Sequence, residues 1–223
     1  MESLLDQPLG QIARQLAGAT AVFREYGLDF CCNGSHSLRE AAHGAGLDAQ
    51  AIVPRLRALQ SMTESGQQDW AAAAPKALIA HILHRYHGVH RQQFPELIRL
   101  ARRVEQVHGA HAQCPAGLSE HLCAMQQALE SHMQKEEMIL FPLLERGAGA
   151  MASAPIRVMR MEHDEHSQSL RHLAELTNDM TLPSAACVTW NALYTGLRTM
   201  REDLMQHIHL ENNILFENAQ NGT

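Results

Sequence analysis

Two His-x-x-x-Glu pairs, His132 with Glu136 and His207 with Glu211, stand in otherwise apolar stripes of the 223-residue chain. A spacing of four puts both side chains of a pair on one helix face, about one turn or roughly 6 Å apart. Burying an ionised Glu or an unpaired imidazole in such a stripe costs several kcal/mol unless a partner neutralises it. No Arg or Lys stands on these stripes, so the pattern asks for a metal. With one inward His from each of two further helices the set becomes four imidazoles and two carboxylates, a mixed N/O donor set that suits iron. Six side chains are too many for one open catalytic ion, and two metals bridged by Glu136 and Glu211 are expected. Zinc is the less favoured metal, because structural zinc takes four closed ligands, often with Cys. Among 15 histidines, His81, His84, His87 and His90 recur every three residues and drift around their helix. Stripe phase retains His87 and His90, matched by His163 and His166, and spacing leaves both pairs open as ligands. A third pair, His36 with Glu40, lies far from these stripes and is not expected to bind metal.

The elements that position these residues repeat. Leu118, Leu122, Met125, Leu129, His132, Glu136, Ile139 and Leu143 follow spacings 4, 3, 4, 3, 4, 3, 4, a heptad seam. Adding 75 to the first seven gives Leu193, Leu197, Met200, Leu204, His207, Glu211 and Ile214, with identical residues. A second relation, offset by 76, joins Ala80, Leu83, His87, His90, Phe94 and Leu97 to Ile156, Met159, His163, His166, Leu170 and Leu173. Two helix pairs related by an internal repeat are most simply buried as an antiparallel four-helix bundle. Its loops fall at Gly109–Gly117, Gly147–Pro155 and Asn178–Pro183, rich in Gly, Pro and Asn. Aromatics are 4% of the chain while Ala, Leu, Met and His abound, so the fold class is all-α.

Upstream, Leu9–Leu16, Ala19–Tyr26 and Ser37–Ala45 read as short helices, the last opened by a Ser37-x-x-Glu40 capping box. A fourth, from Asp48 to Leu59, contains Pro54 and is expected to kink or start late. Three parts follow: a small helical domain at 1–62 holding Cys31 and Cys32, a flexible linker at 63–75, and a bundle at 76–223 that contains every metal candidate and a complete core. The vicinal thiols read either as small buried hydrophobes or as a redox or iron-handling pair, activated by the N-terminus of the helix that starts near Ser37. Cys114, Cys123 and Cys187 share no spacing and read as bundle or loop residues. A net charge of −6 excludes a broad footprint for nucleic acid or anionic lipid, and no run is apolar enough for a membrane span. With an odd cysteine count and no basic leader, a cytoplasmic protein with reduced thiols is expected.

The segments RYHGVH (85–90), SHMQKEEMILFP (131–142), MEHDEH (161–166) and HIHLENNILF (207–216) resemble the hemerythrin-like domain of the repair-of-iron-centres family. QPLGQIA and YGLDFCCNG, near the N-terminus, resemble that family's small cysteine-containing domain. The resemblance implies a non-heme di-iron site, oxo- or hydroxo-bridged, held by His87, His132, Glu136, His163, His207 and Glu211. It further implies a stress protein that repairs damaged iron-sulfur clusters, its clients, by donating iron or removing nitric oxide. Binding of nitric oxide or another diatomic ligand without turnover, and enzymatic reduction of nitric oxide to nitrous oxide, are the alternatives. A homodimer is compatible with all three. The chain departs from the family pattern at Cys31-Cys32-Asn33-Gly34 and Leu215-Phe216-Glu217. Glu162, Asp164 and Glu165 flank His163 and read as solvated.

Overall fold

The computed structural model describes residues 3–16, 18–60 and 70–221. Among them the secondary structure is helical, with an isolated bridge between Pro8 and Ser37 in place of any sheet. The chain forms two compact units, one of Met1–Leu78 with Met205–Thr223, the other of Ile79–Leu204. Of the expected linker at 63–75, residues 63–69 lie outside the described residues.

The first unit contains α1 (Leu9–Gln15), α2 (Ala19–Glu25), α3 (Leu38–Gly44) and α4 (Ala49–Gln60). Leu9, Phe23, Phe30, Leu38, Ile52 and Leu56 fill its interior, all fully buried. The capping box forms as expected: the Ser37 hydroxyl accepts from the Glu40 backbone N–H, and the Glu40 carboxylate accepts from the Ser37 N–H at 2.8 Å. Glu40 thereby serves the helix end. α4 starts at Ala49, not late, and its helical assignment continues through Pro54, with Ile52 and Leu56 buried on either side.

The second unit is a bundle of the expected class. Its helices are the part of α5 (Pro75–Ile82) from Ile79, leading into α6 (Gly88–His108), α7 (Leu118–Lys135) leading into α8 (Phe141–Glu145), α9 (Gly149–Leu176), and the part of α10 (Val188–Leu210) up to Leu204. α9 begins before Pro155, so the expected Gly147–Pro155 loop shrinks to its first residues. α6 and α10 approach closely at Gly196, where a Cβ would lie 2.8 Å from a Leu97 methyl. After α9 the chain turns through Asn178, Asp179 and Met180 with φ of 48°, 48° and 54°. Left-handed backbone strains a Met by roughly 1–3 kcal/mol; here Met180 is fully buried and its N–H donates to Thr177 Oγ1 at 3.1 Å.

Three π turns stand at Leu83–His87, Glu136–Leu140 and Glu211–Leu215; the first two correct the seams read from sequence, while Ile214, in the third, is buried as expected. A π turn closes i→i+5 and inserts one residue, so the buried face slips by one on its far side. Leu118, Leu122, Met125, Leu129, His132 and Glu136 are buried as the heptad requires. Beyond Glu136 the core positions are Leu140 and Leu144; Ile139, expected in the core, is 53% exposed, and Leu143 is only half-buried. On the first helix the slip runs the other way. Ile79 and Ile82 are buried, whereas the expected Ala80 is exposed and Leu83 half-buried. α9 has no π turn, and all six of its expected positions, Ile156 to Leu173, are buried.

Candidate metal centre

Each π turn begins or ends on a residue with metal-binding chemistry: His87 closes the first, Glu136 opens the second and Glu211 opens the third. His163 comes from the regular helix α9. All are fully buried, as are His132 and His207 to within 1%. His87 Nε2 lies 3.4 Å from Glu136 Oε2, and His132 Nε2 lies 3.3 Å from Glu136 Oε1. His163 Nε2 is 3.1 Å from His132 Nε2, and His207 Nε2 is 3.1 Å from Glu211 Oε1. Two groups of potential metal donors result, His87, Glu136, His207 and Glu211, and His132, Glu136, His163 and Glu211, each with donor atoms within 4.8 Å of one another. Both groups contain the same two carboxylates. A converging set of imidazole nitrogens and carboxylate oxygens fits iron.

The outer nitrogens of two imidazoles are held by carboxylates that sequence reasoning did not assign. His87 Nδ1 faces Glu137 Oε1 at 2.8 Å, and His132 Nδ1 faces Glu162 Oε2 at 2.9 Å. Such contacts fix the tautomer that leaves Nε2 free to bind a metal. Glu162 is therefore not the solvated residue expected. The hydrogen bond from His132 outweighs the cost of burial and, with Lys135, which donates to Glu162 Oε1, holds its carboxyl at about 2. Burial opposes ionisation of Glu137, but Arg91, donating to Oε1 at 2.9 Å, and His87 outweigh it and keep it below the usual carboxylate range. Asp164 and Glu165 are exposed, as expected. The signal for Glu137 and Glu162 was their position next to Glu136 and His163; what the sequence could not show was which helix each faces.

His90 and His166, left open by spacing, are in neither donor group. His90 is fully buried, with Nδ1 3.3 Å from Gln93 Oε1. Gln93 Nε2 donates to Asp203 Oδ2 at 2.9 Å, and Arg85 pairs with Asp203 Oδ1 at 2.5 Å. With Phe94, Leu129 and Met133, His90 lines a pocket of about 400 Å³. His166 sets its ring edge-on to His132, centroids 5.0 Å apart.

Residues 78–219 match the family model described as hemerythrin HHE cation binding domain, and residues 5–60 match one described as a domain of unknown function, DUF542. The chain is 48% identical to a probable iron-sulfur cluster repair protein of Haemophilus influenzae, over 98% of this chain and 99% of that one. It is 48% identical to the iron-sulfur cluster repair protein YtfE of Dickeya chrysanthemi, over 97% and 98% of the two chains, and 47% identical to YtfE of Yersinia pseudotuberculosis over the same shares. The chain belongs to the YtfE family of iron-sulfur cluster repair proteins.

In this member of the YtfE family the cysteine pair lies in the region of the second match. Asp29 Oδ1 accepts from Cys31 Sγ at 3.2 Å and from the Cys32 backbone N–H at 3.0 Å, while Asp29 Oδ2 accepts from Asn33 Nδ2 at 2.9 Å. The two sulfurs are 3.9 Å apart, and Asp29, Cys31 and Cys32 form a third group of potential metal donors. The surroundings of Cys31 favour the thiol over the thiolate. The hydrogen bond with Cys32, burial to 2% exposure and the Asp29 carboxylate all push its thiol well above the ordinary range. Within the described residues no helix is long and apolar enough to cross a membrane.

Proposed function

We propose that this chain repairs damaged iron-sulfur clusters under nitrosative and oxidative stress, in the cytoplasm, by supplying iron or by removing nitric oxide from the cluster. The observation that carries the reading is the pair of buried donor groups sharing Glu136 and Glu211, in a chain alike over nearly its whole length to proteins named for cluster repair. Each group offers two imidazoles and two carboxylates, so two irons bridged by Glu136 and Glu211 would each have four protein donors. Iron accepts more ligands than four, and a bound iron pair would supply redox equivalents and open positions for a diatomic molecule. The chain's own residues set the rest. Glu137 and Glu162 fix the imidazoles, and burial keeps bulk water out.

The excess of imidazole over carboxylate lowers the negative charge of the site and favours, as a second reading, binding or reduction of nitric oxide itself. Anaerobic mixing of reduced, iron-loaded protein with nitric oxide separates the two, with iron absorption and headspace nitrous oxide followed together. Repeated turnover means an enzyme, and a stable stoichiometric adduct means a binder. Iron transfer to a cluster-free acceptor protein, with neither behaviour dominant, supports the donor. Metal analysis that finds one tightly held zinc in place of two irons would overturn the di-iron reading.

A further inference from the structure

The π turn Glu211–Leu215 does more than aim a carboxylate. Its next two residues reach a loop of the same compact unit: Asn212 Nδ2 donates to the Cys31 carbonyl at 2.9 Å, and Asn213 Nδ2 donates to the Phe30 carbonyl at 3.0 Å. These carbonyls lie in the irregular stretch between α2 and α3, outside any helix. Asn213 also donates to His209 Nδ1 at 2.9 Å, and the His209 ring packs edge-on against Phe30 with centroids 5.6 Å apart. The Asn213 amide occupies a slot that two glycines leave open. A Cβ on Gly10 would stand 2.5 Å from Asn213 Oδ1, and one on Gly34 would stand 2.8 Å from it.

We infer that this π turn is a clamp that couples metal binding at Glu211 to closure of the turn at Cys31, so that losing the metal opens the Cys31 thiol to soluble electrophiles. The inference rests on the reading of Glu211 as a metal ligand. A π turn is intrinsically less favourable than the α-helix around it and persists where something holds it. Its first residue is the buried carboxylate, and a metal there fixes the turn. Relaxation to α-helical winding turns the following residues by about 100° about the axis. That rotation carries both amides away from Phe30 and Cys31. Cys31 is 2% exposed, so a reagent reaches it only when the turn opens. Coupling runs both ways: a modification of Cys31 that holds the turn open weakens metal binding.

The test uses the full-length reduced protein, iron-loaded and chelator-stripped, treated anaerobically with iodoacetamide and read cysteine by cysteine by peptide mass spectrometry. Cys31 alkylation is expected to be at least about tenfold slower in the loaded protein, with Cys114, Cys123 and Cys187 unchanged as internal references. Equal Cys31 rates in protein shown to hold iron would overturn the clamp alone. A chain that takes up no iron would overturn the metal centre and the clamp with it. Asn213→Ala, and separately Gly10→Ala, which leaves the amide present but fills its slot, should make Cys31 fast in both forms while iron is retained. If either variant keeps the tenfold contrast, the amides are not the coupling element.

Discussion

Replacing Glu162 with Ala should weaken iron binding without touching a residue of either donor group. The carboxylate does two things with two oxygens: Oε2 holds His132 Nδ1 at 2.9 Å and Oε1 holds Lys135. Without it the His132 ring is free to rotate and to settle in the other tautomer, and Nε2 becomes a poorer donor. Loss of such a partner lowers metal affinity by roughly 10- to 100-fold, which is about 1.4 to 2.7 kcal/mol. Glu137→Ala should fall at the lower end, because its Oε1 is shared between His87 and Arg91 and holds the imidazole less exclusively. The two partners act on different imidazoles, so the double substitution should lose close to the sum of the single losses in free energy. Competition against a chelator of known affinity measures each loss, with Asp164→Ala as the exposed control. Affinity within about threefold of wild type for Glu162→Ala, or an equal loss for Asp164→Ala, would refute the orienting role.

Glu136→Ala and Glu211→Ala should each remove most of the iron, because both donor groups depend on both carboxylates, whereas His90→Ala should leave iron content near normal; elemental analysis decides. Leu140→Ala should cost about 2–4 kcal/mol in denaturant unfolding and Ile139→Ala under about 1 kcal/mol, the reverse of what an unbroken heptad requires. Metal-free protein should lose stability as pH falls from about 6.5 toward 4. Burial holds folded His209 at about 4, so over that interval the unfolded chain binds a proton that the folded chain does not. Thermal melts of His209→Gln should show a flatter profile over the same interval.

The bundle, its internal repeat and the two His-x-x-x-Glu pairs were legible because seven positions recur at an offset of 75 with identical residues. Burial of His132, Glu136, His207 and Glu211 followed from that pattern alone. The choice between His87 and His90 did not, because their helix winds as a π turn just where the phase must be counted. Periodicity arguments assume one winding throughout, and an extra residue in a turn has no compositional mark. Glu162 was misread for another reason: its partners His132 and Lys135 lie on a different helix, and acidic residues facing water and acidic residues facing an imidazole look alike in one dimension. Cys31 kept two readings in the sequence, because burial and a neighbouring thiol, which act at contact range, carry no mark in one dimension.

The π turn at Glu136–Leu140 separates what the site needs from what the core needs. Deleting one residue at Met138 would let the helix continue as plain α: Leu140 and Leu144 would move to the third and seventh positions after Glu136, where an ordinary heptad puts them. The apolar seam would then run unbroken through that helix. The extra residue there is thus dispensable for packing. It acts as a phase adjuster, turning a generic bundle surface until buried His and Glu converge. A chain shortened by one residue in that turn should fold as a more stable bundle with a disrupted metal centre, and the difference in stability between the two chains would measure what this protein gives up to hold its metal.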